Sequence, residues 1–76
     1  MKRSIRAFIY SEDDGYVVEC PDVHAFTQGD TLDEAMANLR EAIALALEGE
    51  DPADFGLVAN PHIVVTIELE PISHAG

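Results

Sequence analysis

The sequence has one cysteine, no tryptophan, and only four lysine and arginine side chains. A single cysteine, Cys20, cannot build a disulfide framework, and it fits a reducing compartment. His24, His62 and His74 are scattered without the paired spacing of a metal site. No metal and no cofactor are therefore expected. No apolar run approaches the ~20 residues needed to span a bilayer. The start, MKRSIRAFIY, is basic and then briefly apolar, and it runs into an alternating pattern rather than the long apolar stretch of a signal peptide. The expected location is cytoplasmic. A glycine-rich phosphate loop and a nucleophile elbow are also missing.

The shortage of bases says most about partners. Four Lys and Arg stand against 15 Asp and Glu, a formal net charge of −11. Lys2, Arg3 and Arg6 sit together at the start, which leaves Arg40 as the one base beyond them. Such a surface repels phosphate backbones and favours a basic partner, so direct nucleic-acid binding is not expected. At 76 residues the chain is one domain. A domain of this size buries only about 60% of its unfolded surface. With no disulfide or metal to staple it, self-association is the remaining common remedy.

One helix signal is strong. Leu32, Ala35, Met36, Leu39, Ala42, Ile43, Ala46 and Leu47 recur every three or four residues, which gives a helix over 31–48 one apolar face. Thr31 and Glu34 have the spacing of a capping box, and Asp33 and Glu34 suit the positive end of the helix dipole. Gly49, with Pro52 beyond it, ends the helix. Around it, alternation marks strands over 2–10 and 16–20, joined through the Asp14-Gly15 turn. A third, short strand is expected over 25–28. The stretch 49–61 is expected to fold over one end of the core through its apolar centre, Phe55 to Val58. Ile63, Val65, Ile67 and Leu69 mark a last strand over 62–70.

The fold class is therefore α+β, with a β-β-β-α-β order. A right-handed crossover returns the last strand beside the first, giving a four-stranded sheet of order 3-2-1-4 with one helix packed on one face. Residues 1–70 form the domain and 71–76 a C-terminal tail. Met36, Leu39 and Ile43 are expected to pack against Ile5, Ile9, Val65 and Ile67. A sheet roughly 15–20 Å wide is too broad for one helix ~10 Å across. Phe8 and Tyr10 fall on the uncovered face. A homo-oligomer, dimer or larger, is expected through Phe8, Tyr10, Val64 and Thr66 or along the edge of the last strand, unless Glu68 and Glu70 block edge pairing.

Catalysis has little support. Cys20, Asp22 and His24 are close in sequence, but Cys20 ends a strand as a small hydrophobe and His24 lies in a turn. Asp13, Asp14, Glu19 and Asp22 read as turn formers and solvated charge before they read as a metal site.

The run from Gly15 to Asp22 (GYVVECPD), then Thr27 to Ala35 (TQGDTLDEA) and Ala37 to Ile43 (ANLREAI), resembles the HicB-like antitoxin family. The resemblance covers most of residues 5–70. It implies a partial ribonuclease H-like fold and a non-enzymatic antitoxin that binds and neutralises a small basic HicA-type toxin, which cleaves mRNA. On this reading Asp13, Asp14, Glu19 and Asp22 supply charge toward the toxin, and Phe26 or Phe55 an apolar anchor. Relatives often carry Pro-Gly before the third strand, where this chain has His24-Ala25. Many also carry a C-terminal DNA-binding module. Only six residues follow Glu70 here, so operator binding is not expected. The competing readings are a stand-alone oligomeric binding module without a toxin, and a residual metal-dependent nuclease.

Overall fold

The computed structural model describes residues 1–71. Most of the expected 71–76 tail, including His74, lies outside the described residues. In chain order the elements are β1 (Lys2–Glu12), β2 (Gly15–Cys20), a 3-10 turn (Pro21–Val23), β3 (Ala25–Gly29), α1 (Leu32–Leu47), a second 3-10 turn (Pro52–Phe55) and β4 (Leu57–Glu68). The sheet order is β3-β2-β1-β4, as expected. β1 pairs antiparallel with β2 and parallel with β4, and β2 pairs antiparallel with β3.

The helix begins and ends where its caps dictate. The Thr31 hydroxyl accepts from the Glu34 N–H at 3.1 Å. At the other end Gly49 takes a left-handed φ of 71°, a conformation that costs glycine nothing. Asp33 and Glu34 occupy the first turn, where the dipole favours carboxylates.

Two glycines bring α1 onto the sheet. A Cβ built on Gly29 would stand 2.5 Å from the Ala35 nitrogen and 2.8 Å from its Cα. The first turns of α1 therefore rest directly on the backbone of β3. A Cβ on Gly15 would meet the Gly29 carbonyl oxygen at 2.6 Å, so the β2 end of the same corner is equally tight. Further along, the Asn38 side-chain amide donates to the Gln28 carbonyl at 2.7 Å and ties the middle of the helix to β3. The helix thus lies over β3 and β2 rather than over the centre of the sheet.

That lateral position corrects part of the expected core. Ile5, Ala7 and Ile9 of β1 are buried with Val18, Cys20, Val23, Ala35, Leu39, Ile43 and Leu57. Leu39 and Ile43 meet the expectation, and so do Ile5 and Ile9. Met36, Ile63 and Val65 pack against this cluster but are only partly buried, and Ile67 is 40% exposed. The helix does not reach far enough across to cover the C-terminal half of β4.

β4 starts at Leu57 rather than at residue 62. Pro61 and the left-handed Asn60 (φ 54°) interrupt the alternation and make 57–61 read as loop. Leu57 nevertheless pairs with Lys2, and the Lys2 N–H donates to the Gly56 carbonyl at 2.8 Å. A register shift between Lys2 and Ser4 absorbs the irregular residues. The 3-10 turn before it is capped by Asp51, whose carboxylate accepts from the Ala53 N–H at 3.0 Å. The stretch 49–61 does fold over one end of the core, with Leu57 fully buried and Phe55 packed against the cluster. At its other end β4 stops at Glu68, so Leu69 and Glu70 lie beyond the strand.

Two substitutions test this packing. Leu39→Ala is expected to cost about 2–5 kcal/mol through lost burial and the cavity left behind. Gly29→Ala is expected to cost about 1–3 kcal/mol, because the added methyl meets backbone atoms that have no room to retreat. Urea denaturation reads both; an unchanged midpoint for Gly29→Ala would mean the helix does not rest on β3 as described.

Candidate functional site: the open sheet face and the acidic end

Residues paired directly across strands point to the same face, and neighbours along a strand point to opposite faces. Ile5, Ala7 and Ile9 face the helix, so Arg6, Phe8 and Tyr10 face away. The register then sets out the uncovered face row by row. Phe26, Glu19, Phe8 and Thr66 form one row; Gln28, Val17, Tyr10 and Glu68 form the next; Arg6 and Val64 lie beside them. Phe26 is 65% exposed and Val64 51% exposed, while Phe8, Tyr10 and Val17 are half-buried by their neighbours. The face is apolar at its centre and carries Glu19 and Glu68 among the apolar side chains.

The expected site residues are therefore regrouped by the fold. Phe8, Tyr10, Val64 and Thr66, read as one surface, share this face with Glu19 and Phe26, read as another. Phe55 is not with them: it packs against the core cluster at the end where β4 begins. Asp13 and Asp14 form the β1–β2 turn at one end of the sheet, and Asp22 sits at the opposite end.

The turn end is more acidic than a reading of the turn alone shows. Gly29 pairs with Tyr16, so the end of β3 and the start of α1 come to the same end as the hairpin turn. A shallow depression there is lined by Glu12, Asp13, Asp14, Tyr16, Gln28 and Asp30. Asp33 and Glu34 in the first turn of α1 extend it. None of the four bases belongs to this end: Lys2, Arg3 and Arg6 occupy the first half of β1, and Arg40 the middle of the helix. Sequence reasoning missed Glu12 and Asp30. Their signal is the pair of glycines that close the β2–β3 corner, and it becomes readable only once the β2–β3 register is known.

Asp22 has a different task. Its carboxylate accepts from the Arg6 backbone N–H and from the Lys2 ammonium, both at 2.9 Å, and its side chain is only 14% exposed. These contacts, the backbone hydrogen bond foremost, hold its carboxyl below the usual range. Asp22 thus clamps the turn after β2 onto β1 and is not a free surface charge. Cys20 is buried and its Sγ donates to the Arg6 carbonyl at 3.4 Å. Burial, with the Asp22 charge nearby, pushes its thiol up, which makes it a poor nucleophile. His24, exposed and left-handed at φ 56°, caps the 3-10 turn through its backbone N–H to the Pro21 carbonyl. It occupies a backbone position that glycine takes without strain.

An acidic α+β module with one covered face, one open apolar face and a base-free acidic end has the features of a protein-binding domain. The chain belongs to the HicB-like antitoxin family of bacterial toxin–antitoxin systems, whose model matches residues 6–71. Two curated proteins are similar to this chain over part of its length. An uncharacterized 14.9 kDa protein in the rep-hol intergenic region of Haemophilus phage HP1 is 60% identical over 37 residues, 47% of this chain and 28% of that protein. The UPF0150 protein ssr1258 of Synechocystis is 43% identical over 49 residues, 62% of this chain and 71% of that protein. The match thus spans under a third of the phage protein's length. No solved structure matches the chain significantly. Among the described residues, no helix is long and apolar enough to cross a membrane.

The Asp22 clamp has a pH signature. A carboxyl depressed in the folded state stabilises the fold above its unfolded value, near 3.8, and that contribution is lost as pH falls through the folded value. Asp22→Ala is expected to cost about 1.5–3 kcal/mol at pH 7, the range for hydrogen bonds to a charged group. The gap to the parent should narrow as the pH is taken below 4. Urea melts at pH 7 and pH 3 check this; a gap of equal size at both would mean that the charge of Asp22 is not what holds the turn.

Proposed function

We propose that this protein is an antitoxin that neutralises a small basic HicA-type toxin, an mRNA-cleaving ribonuclease, by direct contact and without chemistry of its own. The observation that carries the reading is the family match across residues 6–71. The arrangement of the surface supports it. Asp13, Asp14, Asp30 and Glu12 give a field that draws a basic protein in and orients it, which acts mainly on the association rate. The open face beside that end offers Phe26, with Phe8 and Glu19 in the same row, as the apolar anchor that slows dissociation. Phe55 is no longer a candidate anchor on this reading, because it is spent on the core. Asp22 likewise leaves the steering group, because Lys2 and Arg6 occupy its carboxylate.

Co-expression with a HicA-type toxin encoded beside this chain is the functional test, and rescue of growth is the expected result. Kinetics on the purified pair then separate the two parts of the surface. Neutralising Asp13, Asp14 and Asp30 together should slow association and flatten its salt dependence. Phe26→Ala should leave association nearly unchanged and speed dissociation by roughly 30-fold, the scale of a central hot spot. No rescue and no complex would overturn the antitoxin reading. Rescue with unaffected kinetics in both variants would keep the antitoxin and move the contact to another surface.

A further inference from the structure

The two edges of the sheet are not equivalent. β3 is short, Ala25–Gly29, and its edge is guarded by α1, whose Asn38 donates to the Gln28 carbonyl. β4 is the other edge. Alternate residues of a strand at a sheet edge leave their N–H and C=O groups without a strand partner. Among the described residues, no side-chain hydrogen bond involves β4. On its helix side the cover is incomplete as well, with Ile63 and Val65 half-buried and Ile67 40% exposed.

The regular part of this edge has definite limits. Asn60 is left-handed and Pro61 has no N–H, so regular pairing cannot begin before His62. The strand ends at Glu68. The usable edge therefore runs from His62 to Glu68, and its midpoint is Val65. We infer that this edge pairs antiparallel with β4 of a second copy of the chain, about a two-fold axis at Val65, joining the two sheets into one.

The side chains fit this register on both faces. On the helix side Val65 meets Val65 of the second copy, and Ile63 meets Ile67, so the residue that α1 leaves exposed is covered by an apolar neighbour. On the open side Val64 meets Thr66, and His62 meets Glu68. An imidazole N–H at one end of the edge thus faces a carboxylate at the other, twice over by symmetry. Shifting the register by two residues would leave Glu68 or His62 without its counterpart. In an isolated chain Glu68 would guard the edge; here it is complementary to the same edge turned around. The net charge of −11 opposes self-association at long range, so the attraction between copies comes from the self-complementary edge alone.

Sedimentation equilibrium of the full chain is expected to give twice the 8.3 kDa chain mass at micromolar concentration. His62→Glu alone sets two carboxylates opposite each other, twice by symmetry, and should weaken the dimer roughly tenfold, while Glu68→Lys alone removes the acceptor of the imidazole N–H and should also weaken it. The double variant His62→Glu/Glu68→Lys restores opposite signs and should recover it. The register is read by cross-linking. Directly opposed residues lie about 4.5–5.5 Å apart at Cα, within reach of a disulfide. Val65→Cys should therefore form a disulfide-linked dimer under mild oxidation. Val64→Cys should not, because two residues of offset place it roughly 8–9 Å from its own copy. Since Cys20 is buried, it does not confuse the readout. A monomer up to hundreds of micromolar overturns the inference. A dimer that ignores both charge variants and leaves Val65→Cys unlinked also overturns it, and points to the open face. Edge pairing seen only with a toxin present would make that protein, and not a second copy, the occupant.

Discussion

The contact between the backbone of Gly29 and the first turns of α1 decides the shape of this molecule. With no side chain between them, the helix can sit at the β3 corner, at a separation that a single methyl would prevent. Asn38 then fixes its course along β3. One helix placed to one side of a four-stranded sheet lies over β3 and β2 and, with them, buries Ile5, Ala7 and Ile9 of β1. It leaves the outer strand half-dressed and the opposite face bare. Each exposed apolar feature of the sheet follows from that placement: Ile67 on the helix side, Phe26 and Val64 on the open side.

The charge distribution follows from the same corner. Bringing the end of β3 and the start of α1 alongside the β1–β2 turn gathers turn acids and helix-capping acids at one end. Each of these carboxylates has a local reason to be where it is, as a turn former or at the positive end of the helix dipole. Their sum is a base-free pole next to an apolar face. On the proposed function, the pole would attract a basic toxin and the apolar face would hold it. A local structural role and a long-range electrostatic role coexist here, because the first fixes position and the second depends only on charge.

Much of this was legible in the sequence where a single local rule governs. Thr31, Glu34 and Gly49 mark the helix through capping chemistry, and the alternation in β1 assigns Ile5 and Ile9 to the core. The strand order follows from the handedness of the crossover. What was not legible depends on pairs distant in the chain. The start of β4 was hidden because Asn60 and Pro61 break its alternation, and only the pairing of Leu57 with Lys2 makes it strand. Asp22 looked like one more turn acid until its contacts with Lys2 and Arg6 made it a clamp. Ile67 fits an apolar stripe perfectly well and is exposed all the same, since periodicity says which way a side chain points but not how far across the sheet the helix reaches. For the site, the sequence named most of the surface residues yet split one face into two surfaces, because only the cross-strand register puts Phe26 and Glu19 beside Phe8.

The central claim is that the partner binds the side of the sheet the helix leaves bare. Titrating isotope-labelled protein with the toxin and following backbone amide shifts tests this most directly. The account predicts that the largest changes fall on Phe8, Tyr10, Val17, Glu19 and Phe26, with the β1–β2 turn. Changes concentrated on the outer face of α1, around Ala37, Glu41 and Leu45, would contradict it.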